Sequence, residues 1–231
     1  DSRGTLRYAN VNEPRFDHDP LTGESKGLLI EEARENLFPD TTMFTGGAWS
    51  ATNTQARPNY GISPDGKFNS VGLIRTSVAQ AQLIQDAFGL SGTWCASVYA
   101  KSIASGNLVF NVGGATVLFD MTSLTTTTIS GTSSDEFMKS VGNGWYHCGF
   151  TFTGSGVSSQ MQLQAWTTSM SVWDDRYDAG DDIQGVELFG PQLEEASFTT
   201  SHIPSKPNFT SRSGAATYHD ENGILRTAPA D

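Results

Sequence analysis

The chain has 231 residues, a formal net charge of -11 and a pI near 4.7, with 37% hydrophobic and only 17% charged residues. Its 14 Lys and Arg are scattered, so no basic strip exists to follow a phosphate backbone, and nucleic acid is not an expected partner. No run of about twenty apolar residues occurs, which argues against a membrane span. The length can bury one large β core or two small ones, and one domain flanked by tails is expected. Acidity of this size serves solubility and tolerates a glycan or a cation as partner.

In chain order, the first feature is an echo: Gly4-Thr5-Leu6-Arg7-Tyr8-Ala9 returns near the finish as Gly223-Ile224-Leu225-Arg226-Thr227-Ala228. Reuse of a connecting stretch marks one unit cut from a longer string, so function is sought in an assembly. The chain opens at Asp1 without Met or a signal-like apolar region, and it is expected to be a processed or excised piece. The Leu28–Leu37 stretch carries good helix formers with Leu29, Ala33 and Leu37 on one face, and Val78–Leu90 is similar in character. Propensity alone predicts a helix at both.

The remainder reads as strands. Trp94, Ala96, Val98 and Ala100 alternate with Cys95, Ser97, Tyr99 and Lys101, so the first set should line a core. Leu108–Val112 and Thr116–Asp120 flank Gly113-Gly114, the pattern of a hairpin with a two-residue turn. A tight turn at Gly142-Asn143-Gly144 leads into a strand with Tyr146, Cys148, Phe150 and Phe152 on one face. Met161, Leu163 and Ala165 alternate with Gln160, Gln162 and Gln164 in a half-buried strand. An apolar run through Ile183, Val186, Leu188 and Phe189 ends at Gly190-Pro191, where Pro191 should stop ladder pairing or sit at an edge. With 24 Gly and Ser/Thr-rich connections, the pattern predicts an all-β protein. Cys95 and Cys148 fall in separate strands and are expected to be reduced core thiols.

The densest set of hard oxygen ligands is the segment from Trp173 to Asp182. Calcium takes six to eight oxygens, and Asp178, Asp181 and Asp182 are the candidate metal ligands. Their spacing is not that of an EF-hand, and a solvated acidic loop is the commoner outcome. No other cofactor is expected. Trp173 and Tyr177 bracket the loop, so their rings could pack on a sugar while Asp174 and Asp175 accept its hydroxyls; these four are the candidate ligand-binding residues. Aromatics at a sandwich edge more often close its core. Trp94 and Trp145 are expected to cap the core, while Trp49 and Trp166 stay unassigned. His18, His147, His202 and His219 form no metal-ligand spacing and read as structural. No Gly-x-Ser-x-Gly elbow occurs, and Gly113-Gly114 lacks the Lys-Ser/Thr of a phosphate loop. Neighbours on a strand face opposite sides, so Glu31-Glu32 and Glu194-Glu195 each give at most one carboxylate to a shared face. No catalytic residues and no enzyme activity are expected.

Pro14-Arg15-Phe16-Asp17-His18-Asp19-Pro20, Gly23, Gly27 to Arg34 and Asn36-Leu37 form a distinctive tract. It is followed in order by Pro64-Asp65-Gly66, Ser97 to Lys101, Phe119-Asp120, Gly142 to Tyr146, Gly190 to Glu195 and Thr200 to Pro204. Across nearly the whole chain these residues resemble a module recurrent in tailed-bacteriophage virion proteins, a lectin-like or carbohydrate-binding-like β-sandwich of tail fibres, spikes and head decorations. The resemblance implies a jelly-roll-like antiparallel β-sandwich with extended terminal arms: residues 1–14 an N-terminal arm, 15–206 the sandwich, and 207–231 a C-terminal arm leading to a further module or subunit. It implies a strand at Leu28–Glu32, which is adopted over the helix there. It also implies a non-enzymatic structural module on the virion surface, a homotrimer among other virion proteins, with host-surface glycan as ligand. Cys148 and the acidic loop depart from the pattern. Two alternatives stay open, a purely architectural spacer and a carbohydrate-binding appendage of a glycan-degrading enzyme.

Overall fold

In this computed structural model, residues 1–9, 13–38, 49–52, 54–75, 82–166, 184–204, 216–219 and 225–228 are described. The strands are β1 (Phe16–His18), β2 (Ser25–Leu28), β3 (Trp49–Thr52), β4 (Thr54–Pro58), β5 (Val71–Arg75), β6 (Gln82–Ile103), β7 (Asn107–Val112), β8 (Ala115–Asp120), β9 (Thr125–Ser130), β10 (Ser134–Gly142), β11 (Trp145–Trp166), β12 (Gly185–Glu194), β13 (Ala216–His219) and β14 (Leu225–Ala228). All pairings are antiparallel and no helix occurs among the described residues.

Two strands of 22 residues, β6 and β11, organise the fold. They are roughly four times the usual strand length, and each passes through both layers of a sandwich. The C-terminal half of β6 and the N-terminal half of β11 carry β12, β5, β4 and β10; the other halves carry β3, β7, β8 and β9. The change of layer falls where the β6–β11 register slips twice, between Ser155 and Ser158 and between Ser159 and Met161. Extra residues on one strand bend and twist the ladder there. Between the layers lies one core, in which Val98, Phe150 and Leu188 meet Phe110, Val117 and Leu163. The edge-on contact of Phe110 and Phe150, 5.4 Å between centroids, crosses between the two layers.

Alternation explains these strands. Trp94, Ala96, Val98 and Ala100 all enter the core, as do Cys148, Phe150, Phe152, Met161, Leu163 and Ala165. The opposite face of the first layer is also covered: Tyr99, Trp145 and Phe189 form a second cluster on which Leu6 and Val141 pack. Trp145 therefore closes this outer cluster and not the main core, whereas Trp94 and Trp49 join the main one. The cysteines are free. Val98 opposes Cys148 and Thr151 opposes Cys95, which puts the two sulfurs on opposite faces of the sheet.

Two expectations are corrected. Gln82–Leu90 is strand, not helix, because β3 and the far half of β11 supply it with ladder partners on both sides; residues 76–81 lie outside the described residues. Leu28 ends β2, and residues 29–38 form neither the helix of propensity nor the strand of the resemblance. Their polar groups are spent on β12 and the segment after it instead, as when Leu37 N donates to Leu193 O at 3.0 Å and Glu31 accepts from Ser201 N at 2.6 Å. Of the two outcomes expected for Pro191, the edge position is the one found, and β12 continues past it. Pairing with β5 has ended at Leu188, so the missing N–H falls on a locally open edge, and the β6 ladder resumes at Gln192 after a bulge.

Both predicted turns form. Asn143 (φ 53) and Gly144 (φ 77) join Gly142 to Trp145, while Gly113 (φ 64) and Gly114 (φ 85) join Val112 to Ala115. A Cβ on Gly113 would lie 2.0 Å from Cε2 of Phe152, so Gly113→Ala meets both backbone strain and overpacking. It is expected to destabilise the chain by about 2 to 3 kcal/mol, read as a lowered urea midpoint.

Candidate functional site

Because Met161, Leu163 and Ala165 point into the core, Gln160, Gln162, Gln164 and Trp166 stand on the outer face of the second layer. Register carries a polar rung across that face: Gln162 opposes Asn111 on β7, Asn111 opposes Thr116 on β8, and Thr116 opposes Ser130 on β9. At this rung lies an open cleft of about 500 Å³, lined by Asn111, Gly113, Gly114, Ser155, Val157, Gln160 and Gln162. One wall is the β7–β8 turn. The other is the doubly bulged stretch of β11, which throws Val157 outward to 66% exposure.

The amides of this face are held in a fixed order. Trp166 Nε1 donates to Gln164 Oε1 at 2.9 Å, Gln164 Nε2 donates to Gln162 Oε1 at 3.1 Å, and Asn111 Nδ2 donates to Thr116 Oγ1 at 2.6 Å. Gln164 and Trp166 are buried, so this chain is shielded from competing water. Gln82 Oε1, on the residue opposite Gln164, is buried with no hydrogen-bond partner among the described residues. Among the described residues no ionisable side chain lines the cleft. Its chemistry is that of uncharged donors and acceptors on a concave polar surface.

A second constellation joins residues far apart in sequence. The His147 ring stacks on Tyr99 at 4.3 Å, and His202 packs against Tyr99, Phe189 and Tyr8 at 6.3, 5.3 and 6.1 Å. Burial holds the imidazoles neutral, pulling His147 down to about 3 and His202 down to about 4. Burial likewise pushes the Tyr8 phenol up to about 12. This cluster is filled by its own rings and serves packing.

Trp173, Asp174, Asp175, Tyr177, Asp178, Asp181 and Asp182 lie outside the described residues. Among the described residues no group of three or more His, Cys, Asp or Glu is placed to hold a metal ion. Of the acidic pairs, Glu194 is fully buried and accepts from Thr200 N at 3.0 Å, and Glu31 accepts from Ser201 N at 2.6 Å; neither lines the cleft. The cleft residues themselves were missed. The available signal was the row of glutamines at Gln160, Gln162 and Gln164, large hydrogen-bonding side chains on the face of a strand turned away from its core.

No family model and no curated protein matches the chain. Among solved structures, the CBM22-1 and GH10 modules of endo-1,4-β-D-xylanase 10B from Clostridium thermocellum, complexed with xylohexaose, are similar at 10% identity and a TM-score of 0.41, over 74% of this chain and 29% of that one. The CBM22-1 xylan-binding domain of Paenibacillus barcinonensis Xyn10C is similar at 13% identity and a TM-score of 0.40, over 71% of this chain and 97% of that one. The enzymatically active domain of tailspike protein 4 from bacteriophage CBA120 is similar at 11% identity and a TM-score of 0.35, over 63% and 18%.

Proposed function

We propose that this chain is a non-enzymatic glycan-binding module displayed on a bacteriophage virion. The observation that carries the binding half is the uncharged cleft between the β7–β8 turn and the bulged stretch of β11, where Asn111 and Gln162 stand side by side. Sugars offer hydroxyls, each a donor and an acceptor, and side-chain amides answer both roles without the desolvation cost of a charge. The virion half rests on the resemblance of the Pro14–Leu37 and Gly190–Pro204 tracts, which meet in space: Arg15 binds Glu31 and Ser201, and Asn36 binds Pro191 and Ile203. In this reading the chain assembles as a homotrimer with other virion proteins, works without a cofactor, and presents the cleft outward to host-surface glycan.

A glycan array probed with the full chain tests the binding half. Binding is expected, and Gln162→Ala or Asn111→Ala should each weaken it at least about tenfold, the loss of one or two hydrogen bonds. A flat array rejects the reading. Binding that survives both changes but falls with Trp173→Ala and Tyr177→Ala would move the site to the acidic loop.

A further inference from the structure

We propose that the cleft recognises two adjacent hydroxyls of an uncharged pyranose, with Gln162 Nε2 as donor and Asn111 Oδ1 as acceptor, and with Gln164 as the positioning residue. This rests on the glycan-binding reading of the same cleft. An indole N–H donates only, so Trp166 obliges Gln164 to present Oε1 to it. Gln164 Nε2 is thereby aimed at Gln162, which must answer with Oε1, and Gln162 Nε2 is the group left for the cleft. This order does not depend on which way an amide is assigned, because the donor-only tryptophan fixes it. Asn111 spends Nδ2 on Thr116 Oγ1, which leaves its Oδ1 for a ligand. Gln162 and Asn111 are direct cross-strand partners, so donor and acceptor start from Cβ atoms roughly 5 Å apart.

An adjacent pair of hydroxyls satisfies a donor and an acceptor together. A uronate or sialyl carboxylate does not, since it brings acceptors alone, the described lining residues include no cation, and the chain carries a net charge of -11. Among the described residues no aromatic ring lines the cleft, so the selectivity they offer lies in the hydrogen-bond pattern.

The test is an array carrying neutral hexose and pentose oligomers, N-acetylhexosamine oligomers and uronate oligomers, probed with the full chain, followed by amide chemical-shift titration with the tightest neutral oligomer and its monodeoxy analogues. Uncharged oligomers that keep an adjacent pair of free hydroxyls should bind in preference to uronate oligomers, and loss of either recognised hydroxyl should weaken binding at least about tenfold. Gln164→Leu touches no ligand, yet should shrink the penalty for losing the hydroxyl that Gln162 recognises, because the Gln162 amide is then free to turn over. Gln162→Met, at a half-buried rim position of similar size, should lose binding at least about tenfold and covers the case in which Gln164→Leu does not fold. Preference for uronate oligomers, or indifference to deoxygenation, overturns this inference and leaves glycan binding standing. Failure of every class to bind overturns both.

Discussion

Asn36→Asp should destabilise the chain by about 4 kcal/mol, from two or more half-buried hydrogen bonds left unmet and a carboxylate turned toward carbonyl oxygens. The Asn36 side chain stands between three segments of backbone. Its Nδ2 donates to Pro191 O at 3.0 Å and Ile203 O at 3.1 Å, and its Oδ1 accepts from Leu193 N at 3.0 Å and Phe38 N at 3.1 Å. The bulge at Gly190-Pro191 interrupts the β12 ladder, so these groups find in one amide the partners that a neighbouring strand would otherwise supply. Aspartate keeps both acceptances but turns two donors into acceptors facing carbonyl oxygens. Alanine leaves all four groups unmet without adding a charge, and should cost about 3 kcal/mol. Urea unfolding followed by Trp fluorescence reads both, as a lower midpoint at unchanged slope. A loss below about 1 kcal/mol for the aspartate variant would show that water satisfies these groups and that the clamp holds little.

This clamp also shows what could and could not be read from the chain. Strands at Trp94–Lys101, Leu108–Asp120 and Tyr146–Phe152 were legible because a half-buried strand writes its face into every second side chain. The landmarks Asn36, Gln192, Glu194 and Thr200-Ser201 were visible only as resemblances. Their physical meaning is a set of bonds between residues as many as 186 positions apart, as from Arg15 to Ser201 Oγ, together with Ser201 N to Glu31 and Ile203 N to Gln192 Oε1 at 2.7 Å. Propensity failed at Gln82–Leu90 for a related reason. The residues there favour a helix locally, and two flanking strands overrule them.

The cleft was harder still. It is made by a slip of register, not by a motif: the surplus residues between Ser155 and Met161 turn a flat polar face into a walled one. Nothing local distinguishes that stretch from an ordinary Gly/Ser-rich bend. The glutamine row shows its function only once Asn111 is placed opposite Gln162 and Trp166 is seen to set the amide order.

Stability should fall steeply between about pH 6.5 and pH 4, and His202→Phe should remove about half of that slope. His147 and His202 are neutral in the folded chain because burial pulls them to about 3 and about 4, with Lys139 and His202 lowering His147 further and Asp65 working the other way on His202. In the unfolded chain both take a proton near the ordinary value of about 6.5. Within that window the unfolded state therefore binds more protons than the folded one, so stability grows as pH rises and is lost as pH falls. Each imidazole contributes a slope of about 1.4 kcal/mol per pH unit where it is fully charged when unfolded and neutral when folded. Phenylalanine keeps a ring among Tyr8, Tyr99 and Phe189, and His202 Nδ1 is buried without a partner among the described residues, so the change forfeits no hydrogen bond at that atom. Urea midpoints taken from pH 8 to pH 4 would measure the slope in both proteins. An equally steep decline in the His202→Phe variant would assign the acid sensitivity to other groups and leave this imidazole a spectator.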